Sequence, residues 1–418
     1  MKIPFLISLI SCLLTYHTLS AKVTMIREGH GVSLQQVIND AAAGDSIIIE
    51  GGRYKEGKII TVDKPLFIIG INNPVIDGEN KYEIMEITSD FVIIQGLHFL
   101  NSGKSGYEDI AALRILNSGN ILIRDNFFEN CFFGIYGQHA GHTTIANNTF
   151  RANGFDEISS ANGIHCWKSE HMLIINNRIS GHRDGIYFEF VTESTIRGNI
   201  STGNVRYGLH FMFSHNNWYL GNSFTDNGAG VAVMYSKGVH MHKNIFSRNW
   251  GNAAYGILMK DISDSRVENN IFSHNTASIY MEGSSRITIR HNQFKNNGWA
   301  VKIQASCIDN IINENNFSGN TFDIATNGSL QLNNFTGNYW DKYEGYDLDR
   351  DGTGDIPFRP VSIFSMIVER NPATLMMFRS FMVGLMDKAE KVFPGITPEA
   401  LKDDKPFIRP LAFNPPTI

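Results

Sequence analysis

From about residue 120 to residue 340, short apolar runs and polar turns recur every 22 or 23 residues. The segments DNFFEN, NNTFRAN, NNRISG, GNIS, GNSFTDN, KNIFSRN, NNIFSHN, HNQFKNN and ENNFSGN mark the copies. Their leading Asn stands at 126, 148, 177, 199, 222, 244, 270, 292 and 315, with longer steps at 148 to 177 and 244 to 270. A period of this size built from short strands predicts a solenoid. The leucine pattern of leucine-rich repeats is absent. Asn-rich turns with β-type alternation instead predict an all-β chain coiled as a parallel β-helix, right-handed as parallel crossovers are.

A second column follows the Asn. Ile135, Ile164, Ile186, Leu209, Val231, Ile257, Ile279 and Val301 occupy one position. Two residues further on stand Gly137, Cys166, Phe188, Phe211, Val233, Met259, Met281 and Ile303. Strand side chains alternate between faces, so both columns are expected to fill the interior. The residues between them then point outward in two stripes. One runs His165, Tyr187, His210, Ala232; the other runs Trp167, Glu189, Met212, Met234. For the repeated Asn a structural role suffices. It tolerates left-handed backbone angles, and stacked Asn side chains form hydrogen-bonded ladders.

The ends of the coil are also legible. Ser33 can cap a short helix whose Leu34, Val37, Ile38 and Ala41 share one face, covering the first rung. Strands from about Ile47 to Trp340 leave room for roughly 12 rungs and a rod of about 60 Å. The expected organisation is a signal peptide over 1–21, an entry and cap over 22–46, the coil over 47–340 and a non-repeat extension over 341–418. Lys2 followed by IPFLISLISCLLTY, with Ser20-Ala21 as a cleavage point, carries the signal-peptide reading. A lipid anchor on Cys12 is the alternative, disfavoured because the apolar run continues through Leu13 and Leu14. No later segment has the roughly 20 apolar residues needed to span a bilayer.

Net charge is −5 and charged residues make up 18%, so no basic surface suggests nucleic acid. Without Cys12, three cysteines remain: Cys131, Cys166 and Cys307. An odd number excludes a full disulfide framework and predicts buried free thiols. In the extension, YDLDRDGTGD places Asp347, Asp349, Asp351 and Asp355 at positions 1, 3, 5 and 9 of a calcium loop, with Gly352 at its turn. Phe358 replaces the bidentate Glu at position 12. A calcium site and a plain acidic turn are the two alternatives. Asn371-Pro372 then opens a Met-rich helix ending at Pro394-Gly395. Its Leu375, Met376, Phe378, Phe381, Met382 and Met386 predict a surface for docking a partner, with capping of the coil as the alternative.

RDGIYFEF (183–190), RYGLHFMFS (206–214) and GAGVAVMYS (228–236) sit on three successive rungs, and NYWDKYEGYDLDRDGTGDIPF follows near the end of the coil. This order of motifs resembles the NosD family over nearly the whole mature chain. The resemblance implies a periplasmic, non-catalytic maturation factor for the copper sites of nitrous oxide reductase. It also implies work with an ABC transporter (permease and ATPase) and a copper chaperone lipoprotein, and peripheral membrane association through the permease. Against that expectation, His210, Met212, Met234, Glu189 and His165 form a candidate copper patch, since imidazole and thioether suit Cu(I). Tyr, Trp, His and Met on one face suit a protein interface equally well. His240 and His242, flanking an inward Met241, and His139 and His142 in a turn are lesser candidates. Nine of the 14 histidines fall between residues 139 and 242. The competing class is a uronate C-5 epimerase or lyase, using Asp184, Tyr187, Glu189 and His210 as acid and base. Such an enzyme would need a long Arg/Lys-lined groove for its polyanion, which the sequence lacks.

Overall fold

The computed structural model describes residues 21–29, 31–328, 332–393 and 401–415. The expected signal peptide with Cys12, and the Pro394-Gly395 helix stop, lie outside the described residues. The chain coils into a right-handed parallel β-helix with three faces. A first sheet has 14 strands, a second 12 and a third 13, so the coil is somewhat longer than the roughly 12 rungs expected. Every pairing between these strands is parallel, because each strand meets its counterpart one turn later.

The register matches the two interior columns. Ile164, Ile186, Leu209, Val231, Cys166, Phe188, Phe211 and Val233 are all fully buried. Each leading Asn is buried as well, and its side chain is fully engaged. Asn222 Nδ2 donates to Asn244 Oδ1 at 3.0 Å and to the Ile196 carbonyl at 2.9 Å. Its Oδ1 accepts from both the backbone N–H and Nδ2 of Asn199. The same pattern links Asn126 to Asn148 and continues through Asn315 to Asn338. Two residues after many of these Asn stands a Phe, and the rings stack: Phe246, Phe272, Phe294, Phe317 and Trp340 lie 4.1–4.9 Å apart. The ladder Asn do not themselves adopt left-handed angles, contrary to expectation. The residue before each one does: Asp125, Asn147, Asn176, Lys243 and Asn269 have φ of 55–57°. That residue makes the corner, which frees the Asn to point inward and bond along the stack.

At the start, Ser33 Oγ accepts from Gln36 N, and helix α1 (Leu34–Asp40) buries Leu34 and Ile38. Gln35 pairs with the backbone N–H and C=O of Thr61, satisfying the edge of the second sheet. A strand, Val23–Ile26, already precedes α1 and pairs with Ser46–Ile49.

At the far end the chain does more than stop repeating. Helix α2 (Ile363–Arg370) lays Phe364 and Val368 against Phe322. Residues near 403 then return to the last rung. Asp403, fully buried, accepts from Gly337 N, Asn338 N, Asn338 Nδ2 and Trp340 Nε1 at 2.8–3.1 Å. A carboxylate accepts only, so it closes a ladder whose last amide still has a donor to place. Cys131, Cys166 and Cys307 are free and buried.

Replacing Asn222 by Ala strands four buried backbone and side-chain partners. We expect a loss of about 2–4 kcal/mol in urea unfolding. Asn252→Ala, on the surface, should stay within about 0.5 kcal/mol. Equal losses would show that the ladder does not hold the rungs together.

Candidate functional site

The candidate site lies on the outer face of the second sheet, where strands Asn162–Trp167, Asp184–Glu189, Tyr207–Met212 and Ala229–Met234 stack in register. Strand pairing sets His165 beside Tyr187, Tyr187 beside His210 and His210 beside Ala232. In the next column Trp167, Glu189, Met212 and Met234 align. The two stripes are thus assembled as the alternation requires, but they are not the open patch expected. Tyr136, His165 and His210 are buried at 4–7% exposure, while Glu189, Met212 and Met234 are half-buried. In the first stripe only Tyr187 reaches solvent in part, whereas the second stripe is half-buried from Trp167 to Met234.

The histidines are enclosed by rings stacked on rings and by Arg206, and two long turns flank this end of the face. Tyr136, His165, Tyr187 and His210 follow one another with centroids 4.5–4.7 Å apart. Residues 103–110 and 153–161 cover this end of the face. Lys104 reaches the Ser159 carbonyl, Glu157 approaches Arg206 at 3.8 Å, and Arg114 donates to the Asp109 carbonyl. Sequence periodicity cannot show such a cover, since both turns are insertions without repeat character.

Beneath the cover, Asp184 is completely buried and held by Arg206 through two bonds of 2.6 and 3.0 Å, with Arg183 at 3.6 Å. This ion-paired cluster was not singled out from the sequence as a unit. Its signal was present, because Arg183-Asp184 and Arg206 open two of the three quoted motifs. Arg206 also approaches His210 Nδ1 at 3.5 Å. Burial drives the imidazole of His165 down to about 3, and those of His210 and His182 down to about 4. All three rings are therefore neutral at ordinary pH, each with a buried Nε2 that has no hydrogen-bond partner. Burial likewise pushes the Tyr187 hydroxyl up to about 12; it donates to Met212 Sδ at 3.5 Å.

Neutral imidazole nitrogen without a partner, next to thioether sulfur, is the donor chemistry a soft monovalent copper ion accepts. The donors are strung along a stripe. Among the described residues, no group of three or more His, Cys, Asp or Glu converges there as a closed cage would require.

The other candidates separate clearly. His240 and His242 lie outside with Met241 buried between them, and His240 stacks on Trp218. His139 and His142 occupy left-handed turn positions. Asp347, Asp349 and Asp351 do converge. However, Asp347 accepts from the N–H groups of Asp351 and Gly352, and Asp351 from Thr353. Asp355 is turned to the N–H of Leu348. This is the hydrogen bonding of an acidic turn, and it favours that alternative over a calcium loop.

The Met-rich segment is not one continuous helix, as expected, but two. A 3₁₀ helix (Pro372–Met377) and helix α3 (Phe381–Val392) are separated at Arg379, whose φ is 65°. Val383 is buried against Phe322, Phe364 and Val368, and the Phe378 ring approaches those of Phe322 and Phe364. Met376, Phe381 and Met382 are 54–92% exposed, Leu375 is exposed to a lesser degree and Met386 is half-buried. Among the described residues, no helix is long and apolar enough to cross a membrane.

A right-handed parallel β-helix bearing a histidine–methionine stripe defines the class. Residues 151–345, which hold that stripe, match the family described as periplasmic copper-binding protein (NosD). Over those residues the chain is similar to that family. It is 26% identical over 385 residues to the probable ABC transporter binding protein NosD of Pseudomonas aeruginosa, covering 88% of this chain and 89% of that one. The protein of the same name from Stutzerimonas stutzeri is 24% identical, covering 84% of each. Among solved structures, the catalytic unit of a GH87 α-1,3-glucanase from Streptomyces thermodiastaticus aligns with a TM-score of 0.59 at 13% identity, covering 77% of this chain and 69% of that one. PfbA, a surface adhesin of Streptococcus pneumoniae, aligns at 0.55 and 13%, covering 70% and 86%. At such identity these two share the fold alone.

The buried histidines have a consequence for stability. On unfolding they return to the ordinary imidazole range near ~6.5, so as pH falls below that value the unfolded chain takes up protons that the folded chain refuses. Stability is fully present above this range and falls as pH drops towards 4. Each of His165→Gln and His210→Gln should remove about one proton from that linkage and flatten the decline of Tm between pH 6.5 and 4. An unchanged slope in both variants would mean that these rings are already hydrated in the folded chain.

Proposed function

We propose that this chain is a periplasmic accessory factor that handles copper for the maturation of nitrous oxide reductase. In this reading it works with an ABC transporter (permease and ATPase) and a copper chaperone lipoprotein, and it is held at the inner membrane through the permease. The observation that carries the proposal is the coincidence of the NosD match with the stripe. The matched residues 151–345 include His165, Glu189, His210, Met212 and Met234. The two relatives are named as ABC transporter binding proteins, which supports a transporter as partner.

The division of the stripe suits transfer. Met212 and Met234 stand on adjacent rungs at the solvent edge, where a donor protein can present its ion. Behind them His165 and His210 keep neutral nitrogen in a dry environment. Thioether and imidazole ligands both leave without a proton, so an ion can move along them with little reorganisation.

Polysaccharide chemistry is the alternative suggested by the fold. The Asp184 carboxylate, bound by Arg206 and flanked by Arg183, is occupied as an ion-pair partner and is a poor general base. Tyr187, with its hydroxyl pushed up to about 12, holds its proton. Uronate turnover, followed by absorbance, tests that alternative directly.

The docking role belongs to the exposed apolar side of residues 372–393, with Met376, Phe381 and Met382 outermost. Because Asp403 closes the ladder from beyond this segment, a simple C-terminal truncation would unseal the coil. An internal deletion of 372–393, bridged by a Gly/Ser linker, should leave a folded rod that no longer copurifies with the permease. Retained copurification would place the docking surface elsewhere.

For the stripe, Met212→Leu with Met234→Leu conserves volume and should leave folding unchanged. Nitrous oxide reductase from cells carrying this variant should then lack copper while the variant accumulates normally. Full copper content in that enzyme would remove the stripe from the mechanism.

A further inference from the structure

The turn that joins the second sheet to the first carries a column of its own. Gly119, Gly141, Glu170 and Thr192 are bridged rung to rung, which sets Asn120, His142, His171 and Glu193 in line one residue later. Three consecutive rungs thus present His, His and Glu at one surface position. All three are exposed, and the His142 and His171 rings lie parallel with centroids 4.6 Å apart and 14° between planes.

Ring stacking alone is not informative, since this coil stacks rings wherever successive rungs carry them. More telling is what neighbouring members of the column do elsewhere. Asn216 Nδ2 reaches Glu193 Oε1 at 2.7 Å, and further along Arg286 Nε reaches Asp264 Oδ1 at 2.6 Å. Side chains at this turn therefore converge between rungs to within bonding distance. Two nitrogens on one ion at 2.0–2.1 Å must approach to roughly 3.3–4.1 Å of each other. In the stack the in-plane lone pairs run parallel, so both rings must turn out of it about χ1 and χ2 to meet on one ion, which their exposed positions leave room for. The nearby cation, Lys168, is turned over the Trp167 ring.

We infer that His142 and His171 form a surface clip for a divalent transition-metal ion, with Glu193 as the oxygen ligand once it releases Asn216. Two imidazoles and a carboxylate suit Zn²⁺ or Cu²⁺ and not a soft monovalent ion. The clip is thus distinct in position and chemistry from the His/Met stripe, and does not depend on the copper-transfer reading. An oxidised ion held here would be kept off the thioethers.

The test uses the full mature chain and Cu²⁺ alone, read by electron paramagnetic resonance. One equivalent should bind with hyperfine structure from two equatorial nitrogens. The signature should vanish in H142A/H171A and persist in H240A/H242A, a control for the other exposed pair. Glu193→Gln should weaken binding by about tenfold or more, because even outer partners of a ligand commonly contribute that much. A two-nitrogen signal that survives H142A/H171A, or no Cu²⁺ bound by the unaltered chain, overturns the assignment. Unchanged affinity in Glu193→Gln removes the carboxylate from it. Copper content of nitrous oxide reductase is not the readout, so failure here leaves the stripe untouched.

Discussion

The amide–amide hydrogen bond passed from Asn to Asn along the interior corner is the interaction on which the rest of the molecule depends. Each buried side chain satisfies a backbone N–H and a carbonyl one rung back, and the next Asn in line. A polar group in a dry interior is costly unless all its partners are present. A slip of one rung position would break every link at once. The ladder therefore sets the register, and the register decides which side chains face the core.

Register is also what assembles the site. His165, His210, Met212 and Met234 are 22 to 69 residues distant from one another along the chain or lie on alternate positions of one strand, yet occupy neighbouring points on one face. Neighbouring rings and Arg206 then enclose the two imidazoles, while the thioether column stays half-buried. Dehydration holds the histidines neutral, while Met212 and Met234 stay within reach of a partner. The same geometry argues against hydrolytic or lyase chemistry, because the one buried carboxylate on the face is neutralised by arginine.

The two ends of the rod solve the same problem with different parts. At the first rung Gln35 of α1 takes up the free backbone groups of an edge strand. At the last, Asp403 accepts the donors that the ladder has left over. Between these two seals, residues 372–393 are anchored on the coil through Val383, with Met376, Phe381 and Met382 exposed.

The sequence by itself determined the coil, its hand and the inward columns. A period of 22 or 23 with Asn and aliphatic residues at fixed offsets has one structural solution, since both must be buried together. It also determined which residues share the outer face, because alternation in a strand is strict. Burial of His165 and His210 was decided only in three dimensions: it depends on rings separated by whole rungs and on where the Arg206 side chain turns. Chain order likewise hid the role of Asp403, which lies 65 residues from the Asn338 it caps. The break at Arg379 was equally out of reach, because apolar spacing looks the same in one helix or two. What a local pattern can specify is local geometry and its repetition. Contacts made by segments without a repeat are settled by packing, and packing is known only when the chain has folded.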